Sequence, residues 1–152
     1  MAIIICGFPG VGKSCVATNR TNILDAESSA FSWIFDPETA EEPKRNQAFP
    51  GNYVKHIKDN MDRYEFIMVS THKQVLDAIE YEGLPYIIVA PQPCLKNEYL
   101  IRYLQRGSTI EFIELLNEKW ESFLADIGNR QQPVIWLEAG QYMSDILGRC
   151  AR

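Results

Sequence analysis

What the chain lacks narrows its class before any motif is read. No apolar run approaches the roughly 20 residues needed to cross a bilayer, and the N-terminal run, residues 2–6, stops at Gly7. No basic stretch precedes that run, so it does not read as a secretory signal. No cysteine pair has C-x-x-C spacing. Cys6, Cys15, Cys94 and Cys150 lie far apart, which fits neither a zinc cluster nor a dense disulfide framework. The expected setting is a reducing cytoplasm. Net positive charge is missing too. A formal net charge of -5 argues against a surface broadly adapted to nucleic acid, though it leaves room for a local basic groove. There is no internal repeat and no low-complexity tract.

What is present is an ordinary globular composition. The 152 residues are 46% apolar and 23% charged, which suits one core and a single domain over residues 1–152. Residues 2–6 form an uninterrupted run rich in β-branched side chains, the pattern of a strand buried on both faces. Runs at 22–24, 66–70, 86–90 and 134–137 supply four more strands. Helical spacing or helix-start signals fall between them, at 13–20, 53–61, 73–81, 96–106, 110–126 and 142–147. This alternation predicts an α/β fold with a five-stranded parallel sheet and helices on both faces. Ser108, three residues before Glu111, reads as the start of a capping box for the helix at 110–126. Residues 36–50 hold three prolines and many charges and read as a loop, of the kind that often forms a lid or binding loop.

The sharpest motif spans residues 7–14, Gly-Phe-Pro-Gly-Val-Gly-Lys-Ser. It matches G-x-x-x-x-G-K-[ST] at every defined position, after a strand and before a helix. Such a loop turns backbone N–H groups inward around phosphates, and the helix N-terminus adds partial positive charge. Gly7, Gly10, Val11, Gly12, Lys13, Ser14 and Cys15 are therefore expected to hold a nucleoside triphosphate. Lys13 would reach the β- and γ-phosphates, and the Ser14 hydroxyl would ligate Mg²⁺. ATP and GTP stay open, but the chain has no Asn-Lys-x-Asp motif to read guanine. No apolar strand ends in a Walker-B Asp either. The third strand ends in Ser70, Thr71 and His72, of which Ser70 or Thr71 could act through water or be plain strand-end residues.

Ligands in a parallel α/β sheet sit at the carboxyl ends of the strands. The second strand ends at Asp25 and is expected next to the strand that leads into the glycine loop. A carboxylate there can take a proton from an acceptor hydroxyl, hold a magnesium-bound water, or simply cap the following helix. Glu27, Ser28 and Ser29 could bond the acceptor or serve turn chemistry. Phe31, Trp33, Phe35, Phe49 and Tyr53 offer faces for a base, or core packing. After the fourth strand, Arg102 and Arg106 are four apart and share one helical face, with Lys96 extending it. Arginines closing over a transferring phosphoryl group stabilise its charge. The alternative is a solvated pair, with Glu98 as a partner. His56 and His72 are lone histidines without a metal role.

Through residues 7–14, Asp25, Arg102 and Arg106, the chain resembles the P-loop kinases that act on nucleosides, nucleotides, shikimate and polynucleotides. It also resembles small kinases encoded by phages and prophages, through residues 25–33 and 49–53. The resemblance implies a three-layer P-loop NTPase fold with a short helical lid at 94–108 and an acceptor-side loop at 36–50. It implies that Asp25 contacts the acceptor, that Arg102 and Arg106 clamp the phosphates, and that the loop around Gly140 borders the adenine. The chain lacks the third-strand segment and long zinc-type lid of adenylate kinases. Three activities remain open: an ATP-dependent kinase of a free nucleoside or nucleotide; a kinase of a modified base in DNA, such as 5-hydroxymethyluracil; and a nucleotide-dependent ATPase or switch. The DNA reading needs a groove, for which Lys44, Arg45, Lys55, Lys58 and Lys96 are the candidates. No membrane partner is expected.

Overall fold

A computed structural model of the chain describes residues 1–18, 20–26, 28, 31, 33–34 and 44–150. The main sheet is built from β1 (Ile3–Gly7), β2 (Ile23–Asp25), β5 (Phe66–Ser70), β6 (Tyr86–Pro91) and β7 (Val134–Leu137). Its order is β2-β5-β1-β6-β7, and every pairing is parallel. The α/β class and the five parallel strands are as expected.

One neighbour relation differs from expectation. β5 lies between β1 and β2, pairing Ile3 with Phe66 and Gly7 with Ser70 on one side and Asp25 with Met68 on the other. Asp25 is thus one strand further from the glycine loop than chain order suggests. The cause is composition. Phe66, Ile67, Met68 and Val69 are all buried, which requires a neighbour on each edge and cover on each face. β2 has three residues and a carboxylate at its end, so it tolerates the edge.

Helices flank the sheet: α1 (Lys13–Ala17), α2 (Gly51–Asp59), α3 (Lys73–Tyr81), α4 (Lys96–Gln105), α5 (Ile110–Gly128) and α6 (Met143–Cys150). α2 packs on α3, α4 on α5, and α1 on α6. Ile4, Ile5, Ile67 and Val69 are each at most 1% exposed and contribute roughly 1.5–3 kcal/mol apiece by leaving water. α1 stops at Ala17, short of the expected end. Thr18 turns extended, and its hydroxyl donates to the Ser14 carbonyl in place of a further turn. The cap of α5 also shifts by one residue. Thr109 is the N-cap and accepts from the Phe112 N–H, while the Ser108 hydroxyl instead accepts from Arg106 Nε at 2.9 Å.

Part of the expected loop at 36–50 is a strand. β4 (Lys44–Arg45) pairs antiparallel with β3 (Trp33–Ile34), leading through turns into α2. Glu27, Ser29 and Phe35, and the rest of that loop up to residue 43, lie outside the described residues. Away from the cavity lining, Arg130 joins α3 to the end of α5. Its guanidinium reaches Asp77 at 3.0 Å, Glu80 at 3.1 Å and Asp126 at 3.1 Å.

Candidate active site

The glycine loop is held from outside, carbonyl by carbonyl. The Phe8 carbonyl accepts from the Val11 N–H at 3.2 Å and the Val11 carbonyl from the Met143 N–H at 2.7 Å. The Pro9 carbonyl accepts from the Tyr103 hydroxyl at 2.8 Å, and the Gly10 carbonyl from Arg102 Nη1 at 2.9 Å. In a trans peptide the carbonyl and the next N–H point in opposite directions. Tying the Pro9 and Val11 carbonyls outward therefore turns the Gly10 and Gly12 N–H groups inward. Both glycines have positive φ, 91° and 95°, a conformation that costs any other residue a Cβ clash. At Gly10 that Cβ would also lie 3.0 Å from the Tyr103 ring. Gly7 answers a different need, since a Cβ there would lie 2.7 Å from Lys13 Cγ. The lysine stem lies across Gly7 and its Nζ donates to the Gly7 carbonyl at 2.7 Å.

Inside this loop opens a cavity of about 620 Å³. Pro9, Gly10, Gly12, Lys13, Ser14 and Cys15 line one side; Asp25, Ala26, Ser28, Ser70 and His72 line another; Arg102, Gln105, Arg106, Phe112 and Tyr142 line the rest. The strand-end logic therefore gathers Lys13, Ser14, Asp25, Arg102 and Arg106 around one space. No protein-family model matches this chain, and no curated protein does.

Two of the expected loop residues do not face the cavity. Gly7 and Val11 lie behind it in the core, and the Val11 N–H is already spent on Phe8. Lys96 is also away from it, 3.6 Å from Glu121 on α5. Among the expected base platforms, Tyr53 is fully buried, its hydroxyl donating to the Ala26 carbonyl. Phe31 packs on Tyr53 and His56, and Phe49 stacks towards Tyr53. The side chain of Trp33 lies outside the described residues.

Gln105, Phe112 and Tyr142 also line the cavity, without having been expected there; Phe112 and Tyr142 are the aromatics on its wall among the described residues, and His72, expected only as a strand-end residue, joins them. Tyr142 carried a signal, because it follows the strand-end loop of β7. Phe112 carried none beyond its place in an apolar helix face.

The two arginines differ. Arg102 is locked: its Nη2 also donates to Glu98 at 3.2 Å and to the Gln141 carbonyl at 3.1 Å. Its guanidinium lies 4.3 Å from the Tyr99 ring centre and 3.9 Å from that of Tyr142. Glu98 in turn accepts from the Gly140 N–H at 3.0 Å, so the β7–α6 loop is fastened to α4. Arg106 is exposed and lies over Tyr103 and Phe112. α4 itself is anchored through Tyr99 and Tyr103, both fully buried. The Tyr99 hydroxyl is buried and makes no hydrogen bond of good geometry among the described residues; burial pushes its pKa up to about 12, against the lowering influence of the neighbouring Arg102.

Proposed function

We propose that this cavity belongs to a P-loop kinase that binds ATP with Mg²⁺ and transfers the γ-phosphoryl group to a nucleoside- or nucleotide-type acceptor. One observation carries the reading: Gly10, Gly12, Lys13 and Ser14 of the glycine loop share a single cavity with Asp25 and Arg106. The loop amides and Lys13 hold the phosphates. Lys13 swings from the Gly7 carbonyl to do so. Ser14, exposed in the first turn of α1, fits a magnesium ligand. Magnesium keeps several waters and is held largely by substrate phosphates, and the Ser/Thr of such a loop supplies one of its ligands.

Asp25 then accepts the proton of the acceptor hydroxyl. The acceptor oxygen bonds to the γ-phosphorus as the bond from that phosphorus to the β–γ bridging oxygen breaks, releasing ADP. Arg106 reaches over the γ-oxygens and Arg102 braces the loop that holds them, a division of labour within the lid helix. The DNA-acceptor reading draws less support. Lys55, Lys58 and Lys96 face Asp59, Glu82 and Glu121, and no candidate groove residue lines the cavity.

Transfer of label from γ-labelled ATP tests the proposal. Asp25→Asn is expected to keep ATP binding and lose about 10²-fold or more in transfer. Full transfer by that variant removes Asp25 as the base, and phosphate release without any labelled acceptor favours an ATPase or switch.

A further inference from the structure

The two halves of the cavity differ in charge. Lys13, Arg102 and Arg106 stand on the glycine-loop and α4 sides. The wall formed by the ends of β2 and β5 presents Asp25, Ser28, Ser70 and His72, with neither lysine nor arginine among the described residues. Lys44 and Arg45 are not on the cavity lining. Ser28 is 6% exposed, the one buried polar residue among those described. Its Oγ lies 3.4 Å from Ser70 Oγ, a loose pair with hydrogen-bonding capacity left over for a neutral group.

A phosphate monoester entering this wall would meet Asp25 and the γ-phosphate together. Desolvating such a dianion requires charged, hydrogen-bonding partners, and this wall offers one imidazole. An uncharged hydroxyl needs only an acceptor for its proton and neutral donors around it. We propose that the acceptor group is an uncharged hydroxyl of a nucleoside, free or carried in DNA, and that the phosphates of nucleoside monophosphates are excluded. The inference deepens the kinase reading and rests on it.

The test incubates the full chain with γ-labelled ATP in three arms: free deoxynucleosides, their 5′-monophosphates, and an oligodeoxynucleotide bearing a hydroxymethyl group on a base. ATP binding is followed in parallel by calorimetry. Label is expected on a free nucleoside or on the oligonucleotide, the difference naming the source. Diphosphate formation from any monophosphate is expected to be at least about 100-fold slower. Diphosphate formed at a comparable rate overturns the inference and leaves the kinase reading standing. No label in either uncharged arm also overturns it; retained ATP binding then spares the nucleotide site, and absent binding removes that as well.

Discussion

Arg102 Nη1 donates to the Gly10 carbonyl at 2.9 Å, from a guanidinium stacked against the Tyr99 and Tyr142 rings. One side chain thereby joins the glycine loop, α4 and the loop after β7. Arg102→Ala strands the Gly10 and Gln141 carbonyls and leaves Glu98 without its cation. It is expected to cost about 2 kcal/mol of stability and to weaken ATP binding. Denaturant unfolding and calorimetry check this. Unchanged stability with unchanged affinity would show that the loop holds its shape without the arginine.

Tyr99 and Tyr103 should respond oppositely to loss of the hydroxyl. Tyr99 buries a hydroxyl that makes no hydrogen bond of good geometry among the described residues, so Tyr99→Phe is expected to be neutral or stabilising, by up to about 1–2 kcal/mol. Tyr103 donates to the Pro9 carbonyl, so Tyr103→Phe is expected to destabilise by about 1 kcal/mol. Paired thermal melts read the difference. A destabilised Tyr99→Phe would mean that its hydroxyl has a role the fold does not display.

The thiols offer a probe that needs no turnover. Cys15 and Cys94 are exposed while Cys6 and Cys150 are buried, and burial raises the Cys6 thiol far above its ordinary range. Cys15 lines the cavity and Cys94 does not. Alkylation of the native protein, read by peptide mass spectrometry, is expected at Cys15 and Cys94. Added Mg·ATP should slow only Cys15. Equal rates with and without nucleotide would place ATP elsewhere.

Acid should loosen the Arg130 cluster. The hydrogen bond from Lys73 holds the Asp77 carboxyl below its ordinary value, and Arg130 adds to this. A carboxyl lowered in the folded state stabilises the fold above its unfolded pKa, about 4. It loses that contribution as pH falls through the folded value. Urea midpoints measured between neutral pH and about pH 3 should therefore fall. Asp77→Asn should be less stable at neutral pH and show a shallower fall. The same acid slope in both proteins would remove Asp77 from the cause.

Most of the sheet was legible because its strands are buried on both faces, which leaves uninterrupted apolar runs such as residues 66–69. Chain order alone misplaced β2, since the exchange of neighbours depends on which strand can tolerate an edge. The loop, Lys13, Ser14 and Asp25 could be read from spacing and strand-end position. The fixing of Arg102 could not. Its partners are the carbonyls of Gly10 and Gln141, and backbone acceptors leave no trace in side-chain identity. The cap of α5 slipped for a similar reason: Ser108 and Thr109 are both competent, and Arg106 engages the first.

The central claim is that Lys13 and the glycine loop hold a nucleoside triphosphate. Calorimetric titration of ATP into the wild-type chain and into Lys13→Ala, each with and without magnesium, tests it most directly. Magnesium-dependent binding by the wild type, weakened at least about tenfold in the variant, is the predicted result. Equal binding by both proteins, or none by the wild type, would contradict it.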